Sequence, residues 1–205
     1  SKGNAIWFED AAEKMGVDVM RWMYMRHTPA NNLNFGHTIG NEVRRQFHIP
    51  IWNVYSFFVN YANIDGWVPS NIESKISISQ FTEIDRWLFS ELHRVIRDVT
   101  KALETWRPET ATGVLERFVD SLSNWYIRRN RRRFWRSNEN LDPDKNAAYL
   151  TLYHCLTILT KLLAPFNPFI SETLYRNLVG ERNSEEPRSV HLCDWPVADE
   201  SLIDE

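Results

Sequence analysis

Four stretches of this chain, in series, carry apolar residues at helical spacing, and that succession most restricts the folds open to it. Val43, Phe47, Val54, Phe58 and Tyr61 recur at steps of three, four or seven. Ile84, Leu88, Leu92, Val95, Val99 and Leu103 form a second stripe, and Leu115, Phe118, Leu122 and Trp125 a third. Tyr149, Leu152, Leu156, Leu159 and Leu163 form the fourth. A helix with one apolar stripe must bury it against another, so serial stripes joined by modest connections predict an antiparallel helix bundle.

The boundaries are written in local chemistry. The first helix is predicted over about 39–63, kinked at Pro50 and ended by Asp65-Gly66. Thr82 and Asp85 have capping-box spacing and open a second helix to about Trp106. Pro108 suits the first turn of a third, running to about Arg136. Asp142-Pro143 caps and starts a fourth, Ala164-Pro165 stops it, and Asn167-Pro168 begins a shorter helix to about Gly180. Trp67 to Phe81 reads as a surface loop, as does His27 to Asn34. Ile6-Trp7-Phe8 reads as a short strand ahead of two short helices, and Val190-His191-Leu192-Cys193 as another. The expected organisation is a small α/β segment over 1–38, a mainly α bundle over 39–180, and an acidic extension over 181–205.

Composition excludes some classes. No apolar run approaches the roughly 18 residues needed to span a bilayer, and no signal peptide opens the chain. Cys155 and Cys193 lack metal-ligand or disulfide-framework spacing, so no metal is expected and a reducing, cytoplasmic setting is. The net charge of −3 argues at first against a nucleic-acid partner. That total is an average over two unlike regions. Residues 1–137 hold 19 Lys+Arg against 15 Asp+Glu, whereas residues 138–205 hold 5 against 12.

The positive charge is concentrated further. Arg128, Arg129, Arg131, Arg132, Arg133 and Arg136 fall within nine positions that contain no acid. On a wheel of 100° per residue the stripe through Leu122 and Trp125 continues into Arg129 and Arg133, with Arg128, Arg132 and Arg136 beside it. Two outcomes are open: these guanidiniums meet buried carboxylates, or the helix projects them to an anion. Six like charges favour phosphate contact for the cluster as a whole, while any single arginine is as readily an ion-pair partner. Trp125 and Trp135 offer stacking faces to unpaired bases, though core packing is the commoner fate of an aromatic. Asn130 and Asn138 are candidate base readers, and Arg44 and Arg45 candidates for an adjacent backbone contact.

The run Leu122-Ser123-Asn124-Trp125-Tyr126-Ile127-Arg128-Arg129-Asn130-Arg131-Arg132-Arg133-Phe134-Trp135 resembles the signature of the anticodon-binding helical domain of isoleucyl-tRNA synthetases. Trp52-Asn53-Val54-Tyr55-Ser56-Phe57-Phe58, Ala164-Pro165-Phe166-Asn167-Pro168-Phe169 and Ser189 to Pro196 are similar to other segments of that family. Ser1-Lys2-Gly3-Asn4 resembles the tail of its KMSKSKGN stretch, and Gly16 to Trp22 its stem-contact element. Asn130 and Cys193 stand where the family often has Ser.

The resemblance implies a fragment whose parent ligates isoleucine to tRNA with ATP and magnesium, and whose expected partner is tRNA(Ile). No membrane or DNA partner is expected, and the chain is expected to be a monomer. Only Ser1 would remain of the ATP loop, so the fragment is expected to hold no cofactor and no catalytic residue. His37-Thr38-Ile39-Gly40 matches a loose HxxG pattern by chance. The expected RNA-contact set is Trp125, Arg128, Arg129, Asn130, Arg131, Arg132, Arg133, Trp135 and Arg136, with Arg44 and Arg45. The alternatives are a protein-interaction bundle without an RNA role and the equivalent domain of a valyl-type synthetase.

Overall fold

The computed structural model describes residues 5–69, 81–136, 142–180 and 186–204. Among these residues the regular structure is helical: α1 (Phe8–Met15), α2 (Val17–Met25), α3 (His37–Val43), α4 (Ile49–Ile64), α5 (Glu83–Glu104), α6 (Pro108–Asp120), α7 (Arg128–Trp135), α8 (Pro143–Leu163) and α9 (Pro168–Tyr175). The predicted bundle is present, and the stripe residues Val43, Phe47, Leu88, Leu92, Leu115, Leu152 and Leu159 are all buried in one core.

The starts and stops follow the sequence chemistry. The Thr82–Asp85 capping box is formed, the Asp142 carboxylate accepts from the Lys145 amide at 2.7 Å, and Pro108, Pro143 and Pro168 each occupy a first turn. α3 and α4 make one rod, interrupted by a π turn over Arg44–His48 in which the Ile49 amide donates to the Arg44 carbonyl, five residues back. Pro50 follows directly. It has no amide to donate, and the widened turn is where the ladder absorbs its ring.

The two candidate strands are not strands. Phe8 opens α1 and Trp7 is its cap residue, while Val190–Leu192 closes a single 3-10 turn whose cap is the Ser189 side chain. Three or four apolar residues in a row favour either state, and neither run has a neighbouring strand to pair with among the described residues.

Residues 5–38 therefore show no α/β character, and α2 joins the main core. Trp22 is fully buried, stacks on Phe47 with ring centroids 3.7 Å apart and meets Phe166 edge-on. Its indole N–H donates to Glu116 on α6. The Asp18 carboxylate caps the start of α9 by accepting from the Ile170 amide at 2.7 Å. Arg21 donates to the Phe166 and Pro165 carbonyls, where α8 ends. Gly40, within the chance HxxG letters, sits where a Cβ would lie 2.6 Å from the Met15 sulfur, so it is a close-packing residue.

Candidate nucleic-acid interface

The arginine run does not lie on a simple continuation of α6. Between α6 and α7 the helix widens into a second π turn over Ser121–Ile127. A π turn spends one residue more than an α turn, so every face downstream shifts by about one position. The wheel placed Trp125, Arg129 and Arg133 on the core side. The structure keeps Arg133 buried but joins it with Tyr126, Ile127, Asn130 and Phe134, leaving Trp125 50% exposed and Arg129 at the surface.

That shift divides the arginines into two groups. Arg133 is 8% exposed and enters a polar cluster inside the bundle. Its Nη1 donates to Asp85 Oδ1 at 2.8 Å and its Nη2 to Asp85 Oδ2 at 2.9 Å, a two-pronged pairing. Nη2 also reaches the Asp144 carbonyl and carboxylate. Asp85 accepts in addition from the Tyr126 hydroxyl at 2.7 Å and from the Thr82 amide and hydroxyl. Burial alone would raise the Asp85 carboxyl, but hydrogen bonds from Arg133, Thr82 and Tyr126 outweigh it and hold it below the ordinary carboxylate range. Asn130 is buried in the same cluster, donating to the Tyr126 carbonyl and accepting from Arg133. Arg136 extends the cluster outward, 3.5 Å from Asp144. Arg133 and Asn130 are thus turned away from solvent, and the ion-pair outcome left open by the sequence describes Arg133.

Arg128, Arg129, Arg131 and Arg132 form the second group. All four are exposed, and none meets a carboxylate among the described residues. The Arg129 guanidinium lies over the Trp125 ring, 4.5 Å from its centroid. Trp135 is 55% exposed at the other end of the run. Arg128 and Arg132 are one turn apart, a like-charge pair that costs a few tenths of a kcal/mol, while the helix C-terminus repays a comparable amount to cations. Uncompensated guanidiniums flanked by two aromatic faces suit an anionic, base-bearing partner. Asn138 lies outside the described residues, as do Ser1 and Lys2.

The other two arginines are elsewhere. Phe134 packs on Phe57 and Tyr61 of α4, so Arg44 and Arg45 lie twelve or more residues back along that rod, about 18 Å along the helix axis from the level of Phe134. Arg44 donates to the Lys14 and Met15 carbonyls and so closes the end of α1. Arg45 is exposed.

The sequence named no acid opposite the arginines. Asp85 is visible in the sequence only as part of a capping box, and Asp144 carries no reading at all. Pairing across 48 and 11 positions leaves no local signal.

A model of the anticodon-binding domain of tRNA ligases matches residues 85–205. The chain belongs to that family. It is 49% identical over 206 aligned residues to an isoleucine–tRNA ligase of Dehalococcoides mccartyi strain CBDB1, covering 100% of this chain and 20% of that protein. The isoleucine–tRNA ligase of Thermus thermophilus is 42% identical over 207 aligned residues, with 100% and 19% covered. The chain therefore spans about a fifth of the length of the curated relatives it matches. The fold is also that of a region in the Agrobacterium radiobacter K84 agnB2 LeuRS-tRNA-LeuAMS ternary complex. The TM-score is 0.70 at 21% identity, over 100% of this chain and 22% of that one. The arginine ridge thus lies on a domain whose family is named for anticodon binding.

Proposed function

We infer that this chain is the anticodon-binding portion of an isoleucine–tRNA ligase and that α7 carries its contact with tRNA(Ile). The observation that carries the reading is the ridge: four exposed guanidiniums, without acid partners among the described residues, between two half-exposed tryptophans. Arg128, Arg131 and Arg132 contact phosphates, which position RNA without reading it. Trp125 with Arg129, and Trp135, supply stacking faces for unpaired anticodon bases. Arg136 lies at the margin, and Arg45 offers a more distant backbone contact. Arg133, Asn130 and Arg44 shape the surface from within.

Isoleucine as the amino acid rests on the 40–49% identity to ligases of that specificity. Joining isoleucine to tRNA, with ATP and magnesium, belongs to the longer enzyme in the cytoplasm. Among the described residues no group of three or more His, Cys, Asp or Glu could hold a metal ion, and no step of that chemistry is assigned to them.

The test is fluorescence anisotropy of labelled isoleucine tRNA with the chain over a salt series. Neutralising about three phosphates gives a slope of log K on log salt between about −2 and −3. Reversing Arg128, Arg131 and Arg132 to Glu weakens low-salt binding by roughly a hundredfold or more, at about 1 kcal/mol per contact, without moving the thermal melt. Binding that is flat with salt overturns the reading. So does an unchanged affinity in the triple variant.

A further inference from the structure

The buried cluster beneath the ridge has a consequence for how the ridge points. α7 leaves a π turn, where i to i−5 bonds replace the i to i−4 ladder and the face presented downstream is shifted. The azimuth of the eight residues that follow is set by what they meet in the core. Ile127 and Phe134 pack there, and a set of hydrogen bonds adds direction to that packing. Arg133 is gripped by both oxygens of Asp85, which is itself held at the first turn of α5 by Thr82. Tyr126, one of three buried residues in the π turn, donates to that same carboxylate, and Asn130 bridges Tyr126 to Arg133. Three core-facing positions, 126, 130 and 133, are thereby tied directly or through one neighbour to a single fully buried carboxylate on another helix.

We propose that Asp85 is a positioning residue for RNA binding: through Arg133 and Tyr126 it fixes the rotation of α7, and so decides which arginines and which tryptophan face the nucleic acid. The proposal rests on the functional reading above and extends it to a group that touches no RNA. Without the two-pronged grip, the packing of Ile127 and Phe134 is left to hold the widened register, and the π turn relaxes more readily toward an ordinary α turn. Trp125 and Arg129 then rotate toward the core side, where the unbroken 100° wheel puts them, and the outward ridge loses its Trp125–Arg129 platform and part of its phosphate register. A carboxylate suits this task better than an amide. Both oxygens accept, five donor contacts converge on them, and the planar guanidinium fork transmits orientation as well as attraction.

The experiment uses the whole chain with Asp85→Asn, which keeps size and removes the charge and one acceptor, and Asp85→Glu as the conservative rescue. Three measurements are made on each: the circular-dichroism melt, amide hydrogen exchange over residues 121–135, and anisotropy of a labelled tRNA(Ile) anticodon stem-loop across salt. Asp85→Asn is expected to melt cooperatively and to exchange faster in 121–135. It should bind three- to thirtyfold more weakly, roughly the range of indirect coupling, with a salt slope shallower by about 1. Asp85→Glu recovers part of both binding quantities. A role in stability alone would lower the melting temperature and leave the affinity and slope of the folded fraction unchanged, and that result overturns the proposal. If Asp85→Asn does not melt cooperatively, Arg133→Lys carries the same measurements, because it retains a buried charge pair but not the fork. Wild-type binding that is absent or flat with salt sinks the functional reading and this inference together. Wild-type binding with an Asp85→Asn slope equal to it sinks the inference alone.

Discussion

Replacing Trp22 with Ala asks whether residues 5–25 belong to the bundle or merely lie beside it. The Trp22 ring is fully buried, stacked on Phe47 and edge-on to Phe166 and His48. A tryptophan in such a site removes about 200 Å² from water, worth about 5 kcal/mol at the usual transfer coefficient. Alanine retains a small part of that, and aromatic geometry with Phe47 adds about 1 kcal/mol. The indole partner Glu116 keeps Arg26 at 3.6 Å and is reached by water, so its loss of a donor adds little. The expected cost is about 4 kcal/mol, within the range for large aromatic truncations, or a fall in Tm of about 8–16 °C for a chain of this length. Urea unfolding followed by far-ultraviolet circular dichroism, with thermal melts alongside, measures it. The control is Trp7→Ala, whose side chain is largely exposed and whose loss costs under about 0.5 kcal/mol. A Trp22→Ala loss below about 1 kcal/mol, or a two-step melt with an unchanged upper transition, would refute the claim that α2 shares the core.

Two further outcomes follow from single side chains. Burial pushes both His48 and His154 down to about 4, so the unfolded chain, whose imidazoles titrate near 6.5, takes up protons first as pH falls. Stability from these groups is present above about pH 6.5 and is lost progressively toward pH 4, by up to roughly 3 kcal/mol each. Urea midpoints at about pH 7.5, 6 and 5 in the wild type and in His154→Gln read this directly, and the variant should show the flatter profile. Asp85 adds a separate loss at lower pH: its carboxyl is held below the ordinary range, so its contribution fades as pH drops under about 3.9. Trp106, 90% exposed at φ +57° just past the end of α5, occupies a left-handed conformation that glycine adopts freely. Trp106→Gly is therefore expected to raise stability by about 0.5–1 kcal/mol, seen as a higher urea midpoint, and a lower midpoint would show that the indole packs against something essential.

Much of the architecture was legible in single residues. Thr82 with Asp85 and Asp142 before Pro143 set helix starts because capping is a local exchange between a side chain and the next turn's amides, whereas at Asn167-Pro168 the cap comes from Asp18, far off in the sequence. The serial stripes followed because a helix buries the same face about every 3.6 residues as long as its ladder is unbroken. The arginine run was equally visible, since adjacent cations need no structure to be counted.

The tertiary structure decided the rest where those local rules stop applying. The π turns over Arg44–His48 and Ser121–Ile127 break the period on which a helical wheel depends. In the second, the register resumes one residue late, and Trp125 and Arg129 change sides. Which arginine is structural could not be read from a run in which all six look alike: Arg133 is distinguished only by Asp85, 48 positions earlier and brought opposite by the packing of α5 against α6 and α7. The apolar runs near Trp7 and Val190 lacked a partner strand, and strand formation is a property of pairs. The sequence alone thus determined that a helical bundle would carry a concentrated basic helix end. Long-range pairing determined which one of its arginines turns inward, because burying a guanidinium requires a carboxylate that only the fold can deliver.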